Sequence, residues 1–167
     1  MSYAYTIQNA NARLGRAAAS VRAAFRTNDD AGLAVLRITL GAILFPHGAQ
    51  HLLGWFGGYG FSGTLGWMTS VGFPGPLAVI AIMVEFLAPI ALVTGIGGRL
   101  AALGVVGLML GAASTHVQNG FFMNWFGQMP AGAEGFEYHL LMIAMAVAIV
   151  IGGSGAWSVD RLLSRER

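Results

Sequence analysis

The 167-residue chain has no cysteine and no lysine, and only 10% of its residues are charged. Without cysteine there can be no disulfide, thiolate-bound metal, covalent c-type haem or thiol relay, so any redox chemistry needs a borrowed cofactor. The scarcity of charge, beside 56% hydrophobic residues, excludes a soluble domain with a wet surface and leaves lipid or another protein as its covering. A formal charge of +2 and a pI near 9.5 do not point to nucleic acid, because no basic cluster exists beyond the flanks of the apolar segments. Nucleophile triads, phosphate-binding glycine loops and nucleotide motifs are missing too. Gly57, Gly58 and Gly60 lack the strand and helix context that such a loop requires, so hydrolase and NAD-dependent readings drop out.

What is present is a pattern of arginines. Arg13, Arg16, Arg22 and Arg26 precede the first apolar segment, Arg37 lies inside it, Arg99 follows the second, and Arg161, Arg165 and Arg167 close the chain. The other two connections carry none. This is the positive-inside distribution of a four-pass membrane protein with both termini cytoplasmic, its arginines facing anionic headgroups.

Residues 1–30 lack the apolar core and small-residue cleavage site of a secretory signal. From Ala10 to Arg26, Leu14, Ala18, Val21 and Phe25 recur at helical spacing opposite the arginines, which predicts an amphipathic cytoplasmic helix lying on the membrane. An organelle transit peptide is the alternative reading of that composition. Asn28, Asp29 and Asp30 offer N-cap oxygens to the first span. The transmembrane domain is expected over 31–160, with spans at about 31–53, 76–94, 99–117 and 136–152, followed by a basic tail at 161–167. Backbone groups cannot go unpaired in lipid, so the spans must be helices, and the short link Gly95–Gly98 makes the second and third antiparallel neighbours. The expected fold is an all-α up-down four-transmembrane-helix bundle.

The connections Gly54–Gly75 and Gln118–Gly135 are rich in glycine and aromatics, including Trp55, Tyr59, Trp67 and Trp125. The simpler expectation is two loops lying flat as an interfacial belt; the sharper one is a lid over a lipid-accessible pocket. Gly107 and Gly111, four apart in the third span, would permit close helix contact.

Ionisable side chains inside a bilayer cost about 2.5–3.5 kcal/mol each at a helix centre, so each needs a reason. Here they are Arg37, His47, His51, Glu85, His116, Glu137 and His139. Glu85 falls near the midplane, whereas the histidines and Glu137 fall in the outer half. Pro46 and Pro89 free the carbonyls of Ala42 and Glu85. At 100° per residue His47 and His51 share a face, with Arg37 within about 80° of both. Glu137 and His139 point in opposite directions, so one of them, most easily His139, faces lipid, a loop or another subunit.

Several chemistries fit this set. His47, His51 and His116 with a carboxylate suit Zn, Cu or non-haem Fe, and His47 with His116 could hold a bis-His haem. An internal network in which Arg37 or a histidine neutralises Glu85 needs no ligand. A quinone or similar lipid-soluble redox molecule would find hydrogen bonds and proton carriers in the outer half. The two hairpins, each reading Arg, His, then a Glu-bearing return helix, also carry a weak hint of the parallel repeat of a small transporter.

The runs LRITLGAILFPHGAQHLLGWFGG from Leu36 to Gly58, VEFLAPIALVTG around Glu85, THVQNGFF from Thr115 to Phe122 and EYHLLMIAMAVAIVIGG from Glu137 together resemble the DoxX family over roughly Leu36 to Arg161. The most specific pieces are the Pro-His-Gly of the first helix and the His-x-x-Asn-Gly-Phe-Phe after the third. The resemblance implies a four-helix bacterial inner-membrane protein with Arg37, His47, Glu85, His116, Asn119 and Glu137 as its polar set. Relatives are associated with membrane redox complexes such as thiosulfate:quinone oxidoreductase. The chain departs from the family pattern at His51, where a Lys is usual, at His139, and in its N-terminal extension. The leading expectation is a quinone-linked subunit of a membrane oxidoreductase complex: Glu85 and Glu137 handle protons, His47, His116 and Asn119 contact the cofactor, and Arg37 balances buried charge. The alternative is a non-catalytic accessory or scaffold subunit of a larger membrane assembly.

Overall fold

The computed structural model describes residues 8, 13–15, 25–130 and 132–165, with the side chain of 165 left aside. Most of the expected amphipathic helix from Ala10 to Arg26 and the last two residues of the basic tail lie outside them. The described residues contain helices and no strand: α1 (Ala31–Leu53), α2 (Gly60–Ser70), α3 (Gly75–Thr94), α4 (Gly98–His116), α5 (Glu137–Gly152) and α6 (Val159–Arg165), with short 3-10 turns at Trp55–Gly57 and Val117–Asn119. Three of these helices are long and apolar enough to cross a membrane: α1, α3, and α4 with its 3-10 extension to Asn119. The fourth apolar helix, α5, has 16 residues. Helix α2 occupies the first aromatic connection, which the sequence presented as a flat loop.

Helix ends follow local chemistry. Asp30 caps α1 by accepting from the Leu33 N–H at 3.0 Å. Gly54 and Gly95, at φ 73° and 71°, end α1 and α3 in the left-handed conformation that glycine adopts without a Cβ penalty. The most extensive packing joins α1 to α3 and α4 to α5. On α1, Gly41 lies against the Pro89 carbonyl and Leu92, and Gly48 against the backbone of Glu85 and Phe86, so the two helices run antiparallel. Pro89 cannot donate to the Glu85 carbonyl, and Gly48 is the residue whose missing side chain lets α1 settle on that freed group. A core of Leu40, Leu44, Leu92, Val105, Met142, Ala146 and Ile149 joins these helices.

The end carrying the start of α1, the α3–α4 turn and the α5–α6 link is here called basal, the other apical. Its centre is Arg37, which is fully buried. Nε donates to the Ser154 carbonyl at 2.8 Å, one terminal nitrogen to those of Leu92 and Val93, and the other to Ala156 and Trp157 at 3.3 and 3.1 Å. Five N–H donors thus meet five carbonyls. Beside it Asp160, 1% exposed, accepts from the Gly97 and Gly98 N–H groups at the start of α4 and from the Ser154 hydroxyl at 2.6 Å. Arg99 repeats the device on the second helix pair, donating to the last carbonyls of α5, Val150 and Ile151.

Removing one side of such a network strands the other. Arg37→Met is expected to lower unfolding stability in detergent by about 3–5 kcal/mol, with Arg37→Lys between it and the parent because an ammonium has three donors for five acceptors. Gly48→Leu, which drives a side chain into the Glu85 carbonyl, is expected to cost about 1–3 kcal/mol or more in the same unfolding measurement.

Candidate functional site

The apical end holds an ion pair inside the helix packing. His51 Nδ1 and Glu85 Oε2 stand 2.5 Å apart, joining α1 to α3 one turn above the Gly48 contact. An ionised carboxylate only accepts, so Nδ1 carries the proton and Nε2 is left as the nitrogen that can take or release one. The Glu85 side chain is 13% exposed and that of His51 38%, which puts the carboxylate inside and the imidazole toward open space.

Across α4 a second histidine is fixed differently. His116 Nδ1 lies 2.7 Å from the Glu134 carbonyl, and since a carbonyl cannot donate, Nδ1–H is the donor and Nε2 is free. Asn119 donates its amide to the same carbonyl at 3.1 Å. The His116 ring packs on that of His139 with centroids 4.8 Å apart. Glu137 faces the connection rather than the interior: its Oε1 accepts from the Met123 N–H at 3.0 Å and the Trp125 indole N–H at 2.5 Å, tying the second aromatic segment to the start of α5.

Between these groups lies a cavity of about 510 Å³, within the range of small-molecule sites. Its polar wall is His51, Glu85, Thr64 and His116. Trp67, Met68, Val71 and Phe73 close it from α2 and the segment after it, and Gly104, Gly107 and Gly111 form a floor along α4. Thr64, buried at 3% exposure, has a hydroxyl without a hydrogen-bond partner among the described residues, as do the Tyr138 hydroxyl and His139 Nδ1. The cavity therefore offers donors and acceptors at one end and aliphatic walls elsewhere. That suits a molecule with a small polar ring and an apolar body.

Several sequence expectations change place. His47 is exposed and outside the cavity lining, and His51 takes the position beside Glu85. Gly48 is the contact with α3, and His47, about 100° from it around α1, turns away. Arg37 is at the basal end on five carbonyls, so it neither neutralises Glu85 nor borders the cavity. His139, expected to face outward, is 9% exposed and packed on His116; Glu137 is the residue turned to the loop. Gly107 and Gly111 make no close helix contact among the described residues and instead leave room for the cavity. His47, His51 and His116, the candidate metal set, do not converge, and among the described residues no three His, Cys, Asp or Glu gather as a metal site would require. His47 lies outside the cavity lining that includes His116, so the structure does not bring the expected haem pair to one site. Thr64 and Asp160 were not singled out by sequence: a threonine in an aromatic connection and an aspartate at the edge of a basic tail carry no periodic signal.

No curated protein and no solved structure matches the chain. The sequence model of the DoxX family matches residues 32–125, more than half of the chain, and takes in α1 through α4, the His51–Glu85 pair, His116 and Asn119, while α5 with Glu137 and His139 lies beyond the matched stretch. The chain belongs to the DoxX family.

Proposed function

We propose that this DoxX-family chain is a four-span, up-down subunit of a bacterial inner-membrane oxidoreductase complex, with both termini cytoplasmic, and that it binds a quinone in the apical cavity. The observation that carries the reading is the His51–Glu85 pair set in the wall of an apolar cavity within the helix packing. A buried carboxylate–imidazole pair is costly in a membrane, and such groups typically mark proton relays or ligand sites. A bound quinone would supply a carrier of two electrons and two protons, the electrons coming from a partner subunit. His51 then holds or releases a proton at Nε2 while Glu85 fixes the ring through Nδ1. His116 presents its Nε2, and Thr64 its unpartnered hydroxyl, as hydrogen-bonding groups for ring oxygens. Glu137 and Asn119 act at one remove, by holding the second aromatic connection against α4 and α5.

A second reading, a non-catalytic accessory subunit, draws on the apical surface. Tyr59, Phe122, Trp125 and Phe126 are exposed at 83%, 72%, 73% and 87%, a patch suited to the membrane interface or to a partner chain.

Two measurements bear on these readings. Glu85→Gln and His51→Ala are expected to lower quinone-dependent turnover per assembled complex by about 10²-fold or more, the range for a positioned acid–base group. If turnover per complex holds while assembly yield drops, the accessory reading stands and the quinone reading falls. Because the chain has no cysteine, single cysteines report orientation directly. In intact cells Tyr59→Cys should react with a membrane-impermeant maleimide, and Leu162→Cys only after permeabilisation; the reverse result would invert the topology.

A further inference from the structure

A second hollow borders the apical cavity beyond Glu85. Ile80, Val84 and Gly104 line the cavity, and the same three residues line this second groove, which runs between α3 and α4 toward the basal end, past Met83, Leu87 and Leu100 to Ile96 and Gly97. This groove adds about 450 Å³ and is walled by apolar residues. Gly104 marks the border between the two spaces: a Cβ there would stand 3.1 Å from Val84 Cγ1, so the glycine lets α4 pack close to Val84 and keeps the shared surface low. From His116 to Gly97 the path follows the 19 residues of α4, about 28 Å at 1.5 Å per residue and close to the thickness of a hydrocarbon core.

The two ends of the path differ in chemistry. At the apical end Thr64 Oγ1, buried and without a partner among the described residues, lies in the same wall as His51 and His116. A buried hydroxyl left unpaired is destabilising, and a hydrogen-bonding ligand would relieve that penalty. At the basal end no polar side chain among the described residues borders the groove, and Leu87, Ile96 and Leu100 are half-exposed on its open side. That opening faces where lipid would be, so a chain can enter sideways.

We propose that cavity and groove form one path for a single amphiphile, whose ring lies against Thr64, His51 and His116 and whose long apolar tail passes over Gly104 to Leu100 and Ile96. The proposal rests on the quinone reading of the cavity and adds the class of quinone, one with a long isoprenoid or alkyl chain, together with the route of that chain. Lipid is as apolar as the groove, so the tail gains little by transfer. Its route is therefore set by shape, and position is a better readout than affinity.

The test uses the full-length protein in lipid vesicles and a benzoquinone bearing a diazirine at the end of a long alkyl tail, with labelled residues mapped by mass spectrometry. Ring binding is followed separately, in a protein whose Trp55, Trp125 and Trp157 are replaced by Phe so that Trp67 is the fluorophore, by quenching with a tailless benzoquinone. Labelling is expected to concentrate on Met83, Leu87, Ile96 and Leu100. It should fall about tenfold in Leu100→Tyr, within what overpacking a filled path costs, while quenching is unchanged. Leu100 is 59% exposed, so that variant does not disturb the core; Gly104→Leu places a side chain at the border itself. Quenching with label scattered over lipid-facing residues, or label indifferent to both variants, overturns the tail route and leaves the quinone reading intact. Absence of both quenching and localised label overturns the two together.

Discussion

A guanidinium inside an apolar helix bundle must find an acceptor for every N–H, and the basal half of this protein is arranged around that demand. Arg37 draws the end of α3 and the Ser154–Trp157 segment onto α1 because those are the places where carbonyls lack helical donors. Asp160 supplies the opposite need at the start of α4, where N–H groups lack acceptors. The pair satisfies helix ends that lipid could not, and the charge of Asp160 offsets that of Arg37.

With the arginine committed there, the apical half must manage its carboxylate locally, and His51 does so. The difference between the ends is chemical. At the basal end Arg37 and Asp160 are met by backbone groups and the Ser154 hydroxyl, and Arg161 Nε is the one buried side-chain atom there without a partner among the described residues. At the apical end Thr64, Tyr138 and His139 keep unpaired atoms among the described residues, and the ring nitrogens that remain free on His51 and His116 are the ones that can exchange a proton. A cavity bordered by groups with hydrogen-bonding capacity to spare is where a ligand has something to gain.

Helical class, membrane character and family were legible because each rests on long-range composition: apolar run length, arginine placement, and motifs such as Pro46-His47-Gly48. The site was legible as a set of residue types and less so as an arrangement. His47 and His51 differ by only about 40° around α1, yet that angle decides which one reaches Glu85. Gly107 and Gly111 show why a small-residue spacing is ambiguous: the same absence of side chains that admits a neighbouring helix also leaves a cavity when none comes. Tertiary contact settles both cases, and it has no local signature. Helix α2 was hidden for a related reason, since its glycines and aromatics lack the periodic contrast of a helix with one wet face.

The reach of Arg37 along the chain bears on how its two halves depend on each other. Two of its five acceptors, Leu92 and Val93, belong to the first helix pair, but the other three lie 117–120 residues downstream. The guanidinium is therefore satisfied only when the segment after α5 is in place beside the first helix pair. The basal end ties the two halves of the sequence together: a chain truncated before Ser154 would contain every residue of the apical cavity wall yet lose three of the five acceptors of Arg37.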